Sequence, residues 1–413
     1  MLRSLAVVIF LLGCVFSNAQ DLDKLILNNE LDKALQVLDS VLKSDQPKPR
    51  LLYRKGIILQ KKYQYSRALD CFEKAYKLDS SNVEVVSELA DANANLGYHK
   101  EALQFYRHLY QLDTTNNINA IRFAKACFNV RAYKEPYQIL LTVYQKDTTN
   151  VYIAKQLAYS AQRSGHDSLA IALYKGIIEK NPSDLNNYTN LTALYQKKEN
   201  YEEAVKSTEK GLQVFPTENI LLTKLGDLHY YKRTYNKAIA PYENILASGD
   251  SQPDVMKNLG ISYYYVKDFE KGLNLLEKCL MQKPNEPVTS LFIGLCLKEM
   301  KKTEDCIAYL NFASKICIPY YLADIYNQLG VVYLEKKEYK KSVSFLKKAY
   351  YQDTTKNEIL FKIANTYDVW QKDKTQAIRY YNRFLNSNKE KSEFYNQLVD
   401  YSKERLGKLI KSR

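Results

Sequence analysis

Apolar side chains recur along this chain in short bursts spaced i, i+4, i+7, and the bursts come in pairs. Residues 224–245, KLGDLHYYKRTYNKAIAPYENI, show one such pair. Leu225, Gly226 and His229 belong to a first burst; Ala238, Tyr242 and Ile245 share one face of a second. The spacing predicts a helix of about twelve residues, a short turn and a second helix of similar length. One small residue marks each burst. In the first position it runs Gly56, Ala90, Ala124, Ala158, Thr192, Gly226, Gly260 and Gly294, each 34 residues after the last. In the second it runs Ala34, Ala68, Ala102, Pro136, Ala170, Ala204, Ala238, Gly272 and Cys306, again in steps of 34. A fixed period of this length predicts a solenoid of stacked helix pairs. Small residues are needed where two helix axes pass closely, because a larger side chain would hold them apart.

These positions resemble the tetratricopeptide repeat family. Its Leu-Gly pair stands here as Leu225-Gly226, Leu259-Gly260 and Leu329-Gly330, with Ile293-Gly294 close to it. The Tyr that follows is Tyr195, Tyr263, Tyr333 and Tyr367; the second-helix group is clearest as Ala68, Phe72 and Ala75; the closing Pro is Pro182, Pro216 and Pro284. The resemblance implies an all-α, right-handed superhelical solenoid of about eleven helix-turn-helix repeats closed by a C-terminal capping helix. It also implies that the first helices line a concave face. The fold does not name the ligand.

Read in order, the chain divides into five parts. Residues 1–19 have the form of a secretory signal: Arg3, an apolar run Leu5–Leu12 and a small-residue site Ser17-Asn18-Ala19 before Gln20. The run is too short to span a bilayer. A second reading takes Leu11-Leu12-Gly13-Cys14 as a lipoprotein box with Cys14 lipidated, and a third keeps the apolar run as an anchor. The Asn-Ala-Gln ending resembles exported proteins of the Bacteroidota. Residues 20–48 form a trimmed first repeat, residues 49–286 seven regular repeats, and residues 287–391 three repeats with small insertions expected in turns. The insertions show where Gly294 to Gly330 spans 36 residues, around Pro319-Tyr320-Tyr321, and where Ala364 to Ala377 spans 13, around Trp370–Lys374. Residues 392–413 read as a capping helix and basic tail. Asp, Thr, Ser and Asn at the repeat boundaries are helix caps. Pro136 is harmless in a first turn and kinks the helix if deeper. Asp113-Thr114-Thr115, Asp147-Thr148-Thr149 and Asp353-Thr354-Thr355 fit capping, and also resemble an O-glycosylation signal of exported Bacteroidota proteins.

Charge adds little to this picture. The 413 residues carry 60 Lys and Arg against 46 Asp and Glu, a net +14, or +13 without the first 19 residues and their Arg3. A basic balance favours nucleic acid, anionic lipid or acidic proteins. Here the charges are scattered along helix faces and read as solvated surface, although the first repeat is acidic and the tail basic.

Chemistry is sparse. The four histidines, His99, His108, His166 and His229, make no metal-ligand spacing. His229 stands where Tyr263 stands one repeat later, a packing position. No phosphate loop or nucleophile elbow occurs. No catalysis, cofactor or metal is therefore expected. Beyond Cys14 the cysteines are Cys71, Cys127, Cys279, Cys296, Cys306 and Cys317, without a CxxC. They read as core thiols; if any pair forms, Cys279 with Cys296 or Cys306 is the expected one.

Counted from the first small residue, positions −6, −3, +1 and +4 make one stripe on the first helices. It gives Tyr152, Lys155, Tyr159 and Gln162; Ile220, Thr223, Asp227 and Tyr230; and Asp254, Lys257, Ile261 and Tyr264. Arg122, Lys125 and Phe128 fall near the same face earlier, and Tyr231 and Tyr265 flank the stacked neighbours Tyr230 and Tyr264. Exposed aromatics with Lys and Asp suit an extended or helical peptide. The alternative is that Tyr, at 36 residues, simply fills ridges between helices. The Lys/Asn set with which some relatives grip a C-terminal carboxylate is absent from the register. The expected function is a non-catalytic scaffold of the cell envelope that binds protein or peptide partners on the concave face. The alternative is a basic module for a polyanion: surface glycan, anionic lipid or nucleic acid, the last disfavoured by export. Membrane attachment is expected only through a lipidated Cys14.

Overall fold

The computed structural model describes residues 22–44, 48–316, 319–371, 373–387 and 393–411. Residues 1–19 with Cys14, where a leader is expected, and also Asp21, Asp45, Cys317 and Arg413, lie outside the described residues. Among the described residues every regular element is a helix, as the period predicts.

The chain forms two compact units that divide after Lys197. The first holds α1 (residues 22–27), α2 (Leu31–Ser44), α3 (Pro49–Lys61), α4 (Tyr65–Leu78), α5 (Val83–Asn95), α6 (His99–Leu112), α7 (Asn117–Asn129), α8 (Lys134–Lys146), α9 (Val151–Arg163), α10 (Asp167–Lys180) and α11 (Leu185–Lys197). The second holds α12 (Tyr201–Val214), α13 (Asn219–Tyr231), α14 (Tyr235–Ala247), α15 (Pro253–Tyr265), α16 (Phe269–Gln282), α17 (Pro287–Glu299), α18 (Thr303–Ile316), α19 (Pro319–Glu335), α20 (Tyr339–Gln352), α21 (Glu358–Trp370), α22 (Lys374–Asn386) and α23 (Glu393–Lys411). Odd numbers up to α21 are first helices, even numbers second helices, and α23 closes the stack. Within each unit the helices from α2 on pack on their neighbours in sequence; in the second unit α13 also meets α15, α15 meets α17, and α17 meets α19.

The small residues sit where the pattern requires them. Four residues after the second small position comes a large side chain, and it lies flat on the first small residue. A Cβ on Gly56 would come within 2.4 Å of the Phe72 ring, and one on Gly226 within 2.5 Å of Tyr242. Leu276, Leu310 and Leu346 cover Gly260, Gly294 and Gly330 in the same way.

The turns obey a rule that the sequence does not advertise. The seventh residue after the first small position is left-handed in every repeat from Tyr63 (φ 59°) through Arg131, Arg233, Lys267, Lys301 and Lys337 to Gln371 (φ 56°), and only Gly97 and Gly165 are glycine there. The next amide bonds back five residues, as in Gln64 N–H to Leu59 O (2.9 Å) and Asp268 N–H to Tyr263 O (2.9 Å). This is the closing geometry that satisfies the last carbonyls of a helix.

The first helices α5, α7 and α9 begin on asparagine caps: Asn82 accepts from the amides of Glu84 and Val85, Asn116 from those of Ile118 and Asn119, and Asn150 from that of Ile153. In the Asp-Thr-Thr segments the aspartate works locally. Asp113 Oδ1 accepts from Thr115 N–H (2.9 Å) and Thr115 Oγ1 (2.7 Å), and Asp147 and Asp353 repeat the bond. Pro136 falls in the first turn of α8, where its missing N–H costs nothing. Pro241 lies inside α14 and withholds one helix hydrogen bond.

Two expectations need correction. The insertion near Pro319 is not a turn: it lengthens α19 to 17 residues, against 13 in α17. Cys279 pairs with neither Cys296 nor Cys306; the five described cysteines are free and buried. Cys279 Sγ donates to Pro253 O (3.2 Å), and burial pushes Cys127 and Cys296 up to about 12 and Cys306 to about 11.

The cap is tied down by charge as well as by packing. Tyr395, Val399 and Leu409 of α23 are buried. Arg405 makes two 2.8 Å bonds to the Asp368 carboxylate of α21, which is 4% exposed and also accepts from Tyr381 OH (3.2 Å).

Candidate partner-binding faces

The first-helix residues form two separate sets, one in each unit. In the first unit Phe128 of α7 meets Tyr159 of α9 edge-on at 5.5 Å, and Tyr133 closes the group at 5.9 Å from Tyr159. Arg163 lies over both tyrosines, 5.3 Å from Tyr159 and 5.5 Å from Tyr133. The hydroxyls of Ser160 and Ser164 both donate to Tyr133 O (2.9 Å), which fixes this corner. Tyr152 is exposed, and Lys125 is exposed without an ion pair among the described residues. Arg122 is engaged: it donates to Ser87 Oγ (2.9 Å) and lies 3.6 Å from Asp91. Lys155 is bonded to Asp184.

In the second unit the aromatics form a continuous network. Tyr230 of α13 meets Tyr231 (5.7 Å) and Tyr235 (5.7 Å). Tyr235 stacks on Tyr265 at 4.1 Å and 7°. Tyr265 meets Tyr264 (5.3 Å), and both touch Phe292 of α17, at 6.0 and 5.4 Å. The direct stack expected between Tyr230 and Tyr264 is thus replaced by a relay through Tyr235 and Tyr265. The reason is the second helix: its first residue, three before the second small position, projects back between successive first helices. Tyr231 (70%) and Tyr265 (48%) present exposed ring surface. Burial raises the phenol of Tyr264 to about 12 and that of Tyr230 above its ordinary value, so both remain protonated at neutral pH.

The charged members of the expected stripe are largely engaged inside the chain. Asp227 accepts from Tyr242 OH (2.6 Å) and Asn258 Nδ2 (3.2 Å). Burial, and then that bond, raises the Tyr242 phenol. Lys257 lies 3.2 Å from Asp254 and 3.6 Å from Glu286; burial alone would lower its pKa, but Glu286 and Asp254 raise it overall. Ile261 is buried and does not reach the surface. Sequence reasoning missed Tyr133, Arg163, Tyr235 and Phe292. Tyr133 and Tyr235 share the register three before the second small position with Tyr65, Tyr201 and Phe269, a signal visible in the sequence.

The histidines are dispersed among neighbours. His108 Nδ1 meets Tyr76 OH (3.0 Å), His166 stacks on Tyr137 (4.0 Å), and His229, 9% exposed, meets Thr234 Oγ1 (3.1 Å). Burial lowers the His229 pKa. No described helix is long and apolar enough to cross a membrane.

Sequence profiles of the tetratricopeptide repeat match residues 49–82, 83–116, 323–355 and 358–390. No curated protein matches the chain. Among solved structures it is similar to YrrB, a TPR protein with an unusual peptide-binding site: 20% identity over 44% of this chain and 92% of that one, TM-score 0.39. It is also similar to the APC/C hetero-tetramer Cut9-Hcn1 (11% identity, 92% and 95% covered, TM-score 0.44) and to yeast Tom70 (12%, 94% and 95%, 0.40). These matches show that the chain carries tetratricopeptide repeats over those residues, within a described structure of stacked helix pairs.

Proposed function

We propose that the chain is a non-catalytic scaffold that docks protein or peptide partners on the first-helix faces of its repeats, with the second unit as the main docking face. The observation that carries this is the aromatic relay from Tyr231 to Phe292. Rings held by one another on rigid helices offer apolar contact area with little conformational entropy to lose on binding. The ion pairing of Lys155 and Lys257 weighs against a face built to track a polyanion, which needs free cations along its length. An envelope location is part of this reading and rests on the leader-like residues 1–19.

The test is selection of short displayed peptides on the purified chain from Gln20 onward, repeated with Tyr231→Ser plus Tyr265→Ser. Both rings are exposed, so the variant leaves the core intact. Enriched peptides are expected to lose at least tenfold in affinity. Peptides that bind the variant equally well would exclude this face. Sequencing the N-terminus of the protein from its native cell separates a chain starting at Gln20 from one starting at a lipidated Cys14.

A further inference from the structure

Cations that are scattered elsewhere along the chain gather on two successive second helices of the second unit. Helix α20, YKKSVSFLKKAYYQ, carries four lysines and no acid; α22, KTQAIRYYNRFLN, carries one lysine, two arginines and no acid. Every earlier second helix, α2 to α18, has at least one Asp or Glu. Aromatic rings tie α20 to α22 and hold the charges. Lys347 of α20 lies over Tyr367 (5.4 Å) and over Tyr380 of α22 (5.6 Å). Arg383 of α22 lies over the same Tyr380 (5.3 Å) and over Tyr350 of α20 (5.5 Å). The two charged groups are therefore at most about 11 Å apart, on the scale of the Debye length of about 8 Å at physiological salt. Lys348 rests over Phe345 (5.1 Å). Lys340 falls on the Lys347 face two turns earlier, about 10 Å along the axis. Ring contact fixes a cation without neutralising it. Lys340, Lys347, Lys348, Arg379 and Arg383 are exposed and form no ion pair among the described residues. The acids at the margin are already engaged: Glu338 with Lys336 and Lys341, Asp353 with Thr355, and Asp373 with the Gln376 amide. Tyr351, one turn beyond Lys347 and Lys348 on the same side of α20, is 83% exposed.

We propose that this second-helix face rests on a membrane surface rich in anionic phospholipid. Clusters of about four to eight Lys and Arg beside a bilayer are drawn to anionic headgroups. The cations here spread along both helix axes and also across from one helix to the next. The patch is thus two-dimensional, as a plane of headgroups is, whereas a single polyanion strand is matched by a line of charge. The ring shared by Lys347 and Arg383 is itself covered, Tyr380 being 9% exposed, so it gives no platform for stacking bases. The exposed ring, Tyr351, suits the headgroup level, where tyrosines gather. Attachment of this kind is electrostatic and reversible, and it does not depend on Cys14. The patch is built from second helices and makes no use of Tyr231, Tyr265 or Phe292, so it stands apart from the peptide-docking face.

The experiment is vesicle co-sedimentation of the chain from Gln20 onward, with vesicles of phosphatidylglycerol and phosphatidylcholine mixed equally and with vesicles of phosphatidylcholine alone. Binding is expected on the mixed vesicles only, and is expected to fall at least tenfold as salt rises from about 0.1 M to about 0.5 M. Lys340→Gln, Lys347→Gln and Arg383→Gln together are expected to weaken it at least tenfold, since each Lys or Arg at an anionic surface contributes about fivefold. Lys74→Gln, Lys77→Gln and Lys146→Gln remove the same charge from exposed positions of α4 and α8 and are expected to leave binding unchanged. Circular dichroism checks that both variants stay helical. Equal losses in the two variants would reduce the effect to net charge and overturn the proposal, as would equal binding to the two kinds of vesicle or binding to neither. If single-stranded DNA binds tighter than the mixed vesicles and the α20–α22 variant loses it, the patch is a polyanion site and the proposal falls. Tyr231→Ser plus Tyr265→Ser is expected to leave vesicle binding unchanged, which separates this outcome from that of the peptide test.

Discussion

Gly226 and Gly176 are both helical glycines, yet the space around them differs. At Gly226 an added Cβ would run into the Tyr242 ring at 2.5 Å; at Gly176 of α10 it would meet nothing within 4 Å. Overpacking costs about 1–3 kcal/mol, while replacing a helical glycine with alanine returns about 0.5–1 kcal/mol. Gly226→Ala should therefore lower the urea midpoint and Gly176→Ala should raise it. His229 gives a pH counterpart. Its folded pKa lies below the ordinary value because burial, and then Lys237, disfavour the charged ring. The unfolded chain then binds the proton first, so this residue's contribution is intact above the unfolded pKa and is lost as pH falls through it toward the folded one. His229→Tyr, the residue found at this register in Tyr263, should flatten that part of the stability–pH curve, as thermal melts at pH 7 and pH 5 would show. Single residues also mark the boundary of what could be read in the sequence. The small positions were legible because sterics repeats them every 34 residues. The role of Asp227 was not: the stripe puts it on the first-helix face, but its partners Tyr242 and Asn258 lie 15 and 31 residues away and no local spacing names them.

At the scale of elements, the helices follow from periodicity and the turns from backbone geometry. The left-handed residue seven places after the small position is Lys, Arg, Glu, Tyr or Gln in most repeats, so composition gives no turn signal. The insertion at Pro319 was read as a turn because insertions in solenoids tend to fall there. The residues following Pro319 carry enough apolar character (Leu322, Ala323, Ile325) to extend α19 instead. The cap α23 was legible as an amphipathic helix, but its anchor was not, since Asp368 and Arg405 are 37 residues apart. That anchor has a measurable consequence. Arg405→Met leaves the 4%-exposed Asp368 carboxylate without its cation, which should cost about 3 kcal/mol. The loss should appear first as faster amide exchange in α21 to α23. Asp368→Asn together with Arg405→Met should recover part of it, because no buried charge is then left unpaired.

For the whole molecule, one repeated unit explains why the fold could be read from one dimension of sequence while the binding face could be read only in outline. Stacking is local, so a 34-residue register fixes which faces are buried. Whether a surface lysine is spent on a neighbouring repeat or left for a partner depends on side chains one or two repeats away. No local spacing tells that Lys257 pairs with Glu286 while Lys362 donates to the neutral Asn327. The central claim is that partners dock on first helices. The most direct test is hydrogen-exchange mass spectrometry of the chain with and without its best selected peptide. The account predicts protection on the solvent-facing amides and flanking turns of α13, α15 and α17, with α14, α16 and α18 unchanged. Protection confined to the second helices, or to α23, would contradict it.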